Sequence, residues 1–118
     1  MLEKKKKSEL TAAEADKLLR VVPHNEAFYF FTAIGEYTED YAVSLDDFYY
    51  KIQDLELKSV LLHFYRKDFE KWIKETIGDI YLANEITKLE KFTGEELRTK
   101  TTILCPKIKR GMVSKKFA

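Results

Sequence analysis

Helix-starting residues recur along this chain and divide it into short helical segments. Thr11 followed by Glu14 is typical of a capping box, in which each side chain accepts a hydrogen bond from the other residue's backbone N–H. Similar helix starts follow at Ser44, Asp79 and Thr93. Between them, apolar residues repeat every three or four positions, so each segment would bury one face. The pattern predicts five or six helices.

The segment after the first of these helices has a different character. Pro23 is expected to end that helix, because proline cannot donate a backbone hydrogen bond. The aromatic run Ala27–Ala33 suits a pleated strand, with Gly35–Glu39 turning the chain towards a partner strand at Asp40–Val43. A short helix over Asn25–Ile34 is the competing interpretation.

These segments together predict the fold class and the domain boundaries. Hydrophobic residues make up 45% of the 118 residues, which is enough for one packed core. We therefore expect a mainly α fold with at most one short hairpin, built as a compact single-domain helical bundle. The domain is expected to span residues 8–105, between basic tails at residues 1–7 and 106–118.

The composition also bears on where the protein works. No apolar run reaches the roughly 18–20 residues that a membrane span needs, and Met1–Lys7 lacks the apolar stretch of a signal peptide. The single cysteine, Cys105, fits a reducing compartment. We expect a cytoplasmic protein with no membrane contact. Gln53 is the only glutamine, while lysine and glutamate are abundant, and this bias is typical of thermophiles.

Few residues have the spacing of a catalytic or cofactor site. The four glycines form no phosphate-binding loop and no two histidines share a helix face, so we expect no cofactor and no metal. The exception begins at His63, which could act as a general base, with Asp68 orienting it and Arg66 or Lys67 holding an anion. His63 and Asp68 are five residues apart, so they meet only if the helix breaks near Lys67.

A structural interpretation of the same segment is favoured over the catalytic one. Asp68 would begin a helix, where its carboxylate accepts unpaired backbone N–H groups. His63 would pack against Trp72 or bond a backbone carbonyl. Phe69, Trp72 and Ile73 share one helix face and are predicted to lie in the core. In this interpretation no residue is catalytic.

Tyrosines are the most promising binding residues. Tyr50 and at least one of Tyr37 and Tyr41 are expected to be partly exposed, and exposed tyrosine is enriched at protein interfaces. The three side chains are therefore candidates for contact with a protein partner. The alternative is that each lies at the margin of the core with only its hydroxyl in water.

One stretch of the chain also resembles a known family. The similarity covers residues 26–89 and is carried mainly by His63, by Asp68-Phe69-x-x-Trp72-Ile73 and by Gly78-Asp79-x-x-Leu82-Ala83. This pattern resembles a small, mainly archaeal domain family of unassigned function. The resemblance implies a recurrent helical module with no known reaction, cofactor or ligand. The basic segments at the two ends are not part of it.

Together these features favour a non-enzymatic module that binds a protein partner or a second copy of itself. A nucleic-acid-associated accessory protein is the alternative, because every charged residue after Glu96 is basic. Weak binding without sequence preference would then use Lys107, Lys109, Arg110, Lys115 and Lys116. An enzyme that uses His63, Asp68 and Arg66 is the second alternative.

Overall fold

The computed structural model describes residues 11–104, and over these residues the fold is mainly helical with one antiparallel hairpin. The predicted mainly α class and the single compact globule are confirmed. Its main elements are α1 (Ala12–Leu18), β1 (Phe28–Ala33), β2 (Glu36–Ala42), α2 (Leu45–Asp54), α3 (Leu57–Tyr65), α4 (Asp68–Trp72), α5 (Ile80–Thr87) and α6 (residues 94–104). A π-helical turn at Ile73–Ile77 follows α4, and short 3-10 turns lie at His24–Glu26 and Lys88–Lys91.

Three of the four predicted helix starts, at Thr11, Ser44 and Asp79, are made by side-chain caps. Thr11 and Glu14 form the reciprocal capping box, with both hydrogen bonds 3.0 Å long. The Ser44 hydroxyl accepts the N–H at the start of α2, and Asp79 Oδ1 accepts the Leu82 N–H, 2.9 Å away, at the start of α5. Because each cap pairs a backbone donor that the helix itself leaves free, the caps explain why the elements begin at these residues.

The first helix ends before Pro23, at Leu18, so its predicted length was wrong. The Arg20 guanidinium donates 2.6 Å and 3.0 Å hydrogen bonds to carbonyls of the distant π-helical turn, and another to the end of α1. Val22 is nevertheless buried in the core, and its N–H donates to the Val43 carbonyl at 2.8 Å. Here the chain leaves the helix to satisfy tertiary contacts.

The predicted strand is confirmed and its competing helix is excluded, but the predicted turn was wrong. Ile34 and Gly35 make a two-residue turn, and Gly35 has a φ of +83°, which glycine adopts without strain. The second strand therefore begins at Glu36. A bulge between Phe30 and Phe31 shifts its register, and Glu39 takes a left-handed φ of +72° there.

The core lies between the inner face of the hairpin and the helices. Phe28 and Phe30 point inward from β1 and contact Phe48 of α2, with ring centroids 6.3 Å and 6.2 Å away. Phe69 and Trp72 of α4 complete this aromatic group, each within 6 Å of the Phe28 ring. The hairpin is therefore held by its packing on two helices that follow it in the sequence.

A left-handed residue separates α3 from α4. Lys67 has a φ of +70°, so the helix breaks there, which is the condition under which His63 and Asp68 can meet. A non-glycine residue is strained in this conformation because its Cβ crowds the neighbouring carbonyl.

We expect Lys67→Gly to raise the free energy of unfolding by about 1 kcal/mol, because glycine removes this strain. Lys67→Ala is the matched control, since it also removes the ion pair with Glu90 but keeps the Cβ. Urea unfolding of the three proteins measures the difference. A glycine variant no more stable than the alanine variant would contradict the assigned strain.

Asp79 gives a prediction about pH. Its side chain is buried, and Oδ2 has no hydrogen-bond partner among the described residues, while burial raises the pKa of the carboxyl. Between the ordinary and the raised pKa, the folded state binds more protons than the unfolded state, so this group costs stability as the pH rises.

Asp79→Asn keeps an oxygen that can cap α5 and removes the buried charge. We expect the variant to be more stable than the wild type at pH 7, by about 1 kcal/mol, and this advantage to shrink towards pH 4. Thermal melts across that pH range test the expectation, with Asp79→Ala as a control that loses the cap. An advantage that is constant with pH would rule out titration of Asp79 as its source.

Candidate functional site

His63 is the central polar side chain of the interior. It lies on α3, is only 4% exposed, and both of its ring nitrogens are hydrogen-bonded. Nδ1 lies 2.9 Å from Asp68 Oδ2, and Nε2 accepts the Phe31 backbone N–H at 2.8 Å. An amide can only donate, so Nε2 carries no proton and Nδ1 donates its own to Asp68. The contacts fix the neutral Nδ1–H tautomer.

This environment keeps His63 neutral. Burial lowers the pKa of the imidazole, and the Arg66 charge lowers it further, while Asp68 opposes both effects without overcoming them. A proton on Nε2 would also break the bond from the Phe31 amide. Neither nitrogen is therefore available, in this arrangement, to take a proton from a substrate. The geometry gives no support to the proposed general base.

Asp68 is brought to His63, but it is not the helix cap that the sequence suggested. It is the first residue of α4, and no side chain caps that helix. Its Oδ2 instead accepts from His63 and lies 3.3 Å from Arg66 Nε. The capping interpretation was wrong because the left-handed turn at Lys67 directs the carboxylate back towards α3.

The predicted burial of Phe69, Trp72 and Ile73 is confirmed. Phe69 and Ile73 are fully buried, and Trp72 is 7% exposed. The indole Nε1 of Trp72 donates to the Glu26 carbonyl at 2.8 Å, which ties α4 to the segment before the hairpin. The His63 ring packs edge-on against Phe28, 4.8 Å away.

Four aromatic side chains lie together on the outer face of the hairpin. We call Tyr29, Phe31, Tyr37 and Tyr41 the aromatic face. Their ring centroids are 5.4 Å apart for Tyr29 and Tyr41, 5.7 Å for Tyr29 and Tyr37, and 5.4 Å for Phe31 and Tyr37. Tyr29 is 37% exposed and Tyr37 is 41% exposed. The rings form one continuous, partly solvated surface.

Two of these four residues were predicted and two were missed. Tyr37 and Tyr41 were candidates, whereas Tyr29 and Phe31 were assigned only to a strand. Side chains alternate between the two faces of a strand, so the inward Phe28 forces Tyr29 and Phe31 outward. This alternation was the available signal.

Acidic groups surround one side of the aromatic face. The pKa of Tyr37 is raised, first by desolvation and then by the neighbouring phenols and the Asp40 and Glu39 carboxylates. Lys51 Nζ lies 5.1 Å from the Tyr41 ring centroid and 3.0 Å from Asp40 Oδ1. A cation is thus held here by a ring and a carboxylate together.

Tyr50, the third predicted tyrosine, lies in a separate groove between β2 and α2. It is 57% exposed, and the groove has a volume of about 450 Å³. We call it the acidic groove, and it is lined by Thr38, Asp40, Asp47, Tyr50, Lys51, Asp54, Leu55 and Glu56. It adjoins the aromatic face at Asp40 and Lys51, so all three predicted tyrosines border one continuous surface.

An open cleft of about 460 Å³ lies on the other side of the aromatic face. Tyr29 and Phe31 form part of its wall, with Leu62 and Trp72 opposite them. It is lined by two basic and two acidic residues, so its charges balance; these are Arg66, Lys71, Asp68 and Glu75. The cleft therefore extends the apolar surface without giving it a strong charge.

The remaining predictions concern metal ions, membrane spans and the basic tails. Over these residues no group of three His, Cys, Asp or Glu side chains could hold a metal ion, and no helix is long and apolar enough to cross a bilayer. The basic tails at residues 1–7 and 106–118 lie outside the described part, and with them Lys107, Lys109, Arg110, Lys115 and Lys116.

Comparison of the chain with protein-family models, curated proteins and solved structures finds no match. The resemblance to a mainly archaeal domain family stays a prediction.

Variants of Asp68 can distinguish its hydrogen bond to His63 from a role as a helix cap. Asp68→Ala leaves Nδ1–H without its acceptor, so we expect the free energy of unfolding to fall by about 1 kcal/mol, since Asp68 is 28% exposed and water replaces part of the bond. Asp68→Asn supplies a carbonyl oxygen and should recover part of the loss. Asp68→Ser should behave like alanine, because its shorter side chain does not reach Nδ1.

Asp79→Ser is the matched control, because serine caps helices well and Asp79 is a true cap. We expect serine to be tolerated at residue 79 and not at residue 68, as measured by denaturant unfolding. If serine is tolerated equally well at both positions, Asp68 acts as a helix cap.

Proposed function

We propose that this protein is a non-enzymatic interaction module that binds a protein partner through the aromatic face. The observation that carries the proposal is the continuous contact of Tyr29, Phe31, Tyr37 and Tyr41 on the outer side of the hairpin. Because side chains alternate along each strand, all four rings lie on the outer face of the hairpin instead of packing in the core.

The chemistry of these side chains supports a protein ligand. A tyrosine brings a large apolar surface and a hydroxyl, and it loses little conformational entropy when it is fixed at an interface. The hydroxyls of Tyr29 and Tyr41 are already directed towards His24, which limits their rotation before any partner arrives. A prearranged aromatic surface costs less to bind than a mobile one.

The two alternatives have weaker support. The enzyme hypothesis rests on His63, whose two nitrogens are both occupied. Exposed aromatic rings also stack on single-stranded nucleic acid, and this favours the accessory-protein alternative. The carboxylates of Glu39 and Asp40 beside Tyr37 would repel phosphates, however, so we place this function second.

The setting of the module is part of the proposal. A single cysteine and a scarcity of amide side chains support a cytoplasmic protein from a thermophile, and the family resemblance supports an archaeal source.

Affinity purification of the tagged protein from its own cells tests the function. We compare the wild type with the double variant Tyr37→Ala/Tyr41→Ala after nuclease treatment, and expect the recovered partner protein to fall at least tenfold, the effect of losing interface anchors. Tyr65→Ala is the matched control, because Tyr65 is 50% exposed but lies elsewhere, with its hydroxyl near Phe92.

Melting temperatures first establish that all variants are folded. A partner retained by the double variant would show that the aromatic face is not the binding surface. A partner that is lost from the wild type on nuclease treatment would instead support the nucleic-acid alternative.

A further inference from the structure

We propose that the partner contacts this surface with a segment rich in arginine and lysine, whose cationic groups sit on the aromatic face and whose flanking residues enter the acidic groove. The inference rests on the proposed function, since it takes the aromatic face as the docking surface and names the chemistry of what docks.

The protein already shows how such a cation is held. Lys51 Nζ lies over the Tyr41 ring, donates to the Tyr41 carbonyl, and pairs with Asp40 at 3.0 Å and Asp47 at 3.6 Å. The negative face of the ring and the two carboxylates act on the same ammonium group. This internal contact shows the geometry that a partner's lysine or arginine would repeat.

An equivalent position at Tyr37 is not filled by a cation within the described residues. Tyr37 is 41% exposed and lies within the electrostatic influence of Glu39 and Asp40. An exposed ring here also has carboxylates in its surroundings, but no described cation joins them as Lys51 does at Tyr41. A guanidinium would fit this position well, because its planar group stacks on a ring while its N–H groups reach a carboxylate.

The acidic groove extends the same preference away from the rings. Asp54 and Glu56 are both exposed, and neither pairs with a basic side chain among residues 11–104. Leu55 lies between them with only 8% of its surface exposed, and Tyr50 supplies an aromatic wall. An extended basic segment would cross from the aromatic face to the groove at Asp40.

The charge of this surface also decides between occupants. Four carboxylates line the groove, those of Asp40, Asp47, Asp54 and Glu56, against the single cation of Lys51. Such a surface attracts a basic peptide and repels the phosphates of a nucleic acid. Tight aromatic stacking of an oligonucleotide would therefore be opposed at its backbone.

A labelled peptide tests the inference on the full-length protein. The probe is a fluorescein-labelled octapeptide of alternating arginine and glycine, measured by fluorescence anisotropy at low salt. The control peptide has citrulline at each arginine, which keeps the shape and removes the charge. We expect the citrulline peptide to bind at least tenfold more weakly, and equal binding of the two peptides would overturn the proposal.

Variants of the protein locate the binding. We expect Asp54→Asn/Glu56→Gln and Tyr37→Leu each to weaken binding of the arginine peptide about fivefold, while Tyr37→Phe keeps the ring and stays close to the wild type. Glu85→Gln/Glu90→Gln is the control, because it removes two charges outside the proposed surface. An equal loss with that control would mean that only net charge attracts the peptide, and would overturn the assigned site.

A labelled octauridylate oligonucleotide is tested in parallel. If it binds more tightly than the arginine peptide and loses affinity with Tyr37→Leu, the occupant is a nucleic acid and the proposal is wrong. If neither probe binds while the purified partner still needs Tyr37 and Tyr41, the basic segment is wrong and the proposed function stands. If the peptide binds as expected but the amount of recovered partner does not depend on Tyr37 and Tyr41, the proposed function is wrong whatever the peptide result.

Discussion

The fold depends on the way the side chain of His63 joins three elements at once. A two-stranded hairpin is at most marginally stable in water by itself, so it needs support from outside the sheet. His63 accepts the Phe31 N–H and the Ser59 hydroxyl donates to the Phe31 carbonyl at 2.6 Å, so α3 satisfies both backbone groups of one strand residue. Asp68 then fixes the imidazole from α4. A register shift in β1 would leave these buried groups unpaired, which makes the arrangement specific.

These buried hydrogen bonds also determine which side chains lie on the outer face of the hairpin. Because the position of Phe31 is fixed, Phe28 and Phe30 must face the helices, and the rings of the aromatic face must lie opposite them. The bulge at Glu39 then allows Tyr37 to stand across from Phe31, while Asp40 stays beside Lys51. The candidate binding surface therefore follows from the hydrogen bonds that His63 and Ser59 make with Phe31 beneath it, and both depend on the same residues of β1.

The parts of this architecture that could be predicted were those encoded by near neighbours in the sequence. Capping residues such as Thr11 and Ser44, and the buried stripe that contains Trp72, act within one or two helical turns and were found. The bond from Phe31 to His63 spans 32 residues, and no local pattern indicates it. The same holds for Arg20, which bonds the turn after α4 and shortens the first helix. Asp68 was misread because a carboxylate at the start of a helix suits both a cap and a histidine partner.

The exposed edges of the hairpin have a consequence for how the protein meets its neighbours. Free N–H and C=O groups along an edge strand are templates on which another chain can add a strand, and such addition propagates into aggregates. On the edge formed by β1, His63 accepts the Phe31 N–H and Ser59 donates to the Phe31 carbonyl. On the edge formed by β2, Lys51 donates to the Tyr41 carbonyl and the bulge distorts the strand. The protein presents four aromatic rings to solvent while the backbone groups of Phe31 and the Tyr41 carbonyl are blocked from templating a growing sheet. This arrangement favours association at this surface through side-chain contacts, which form and separate without extending from one molecule to the next.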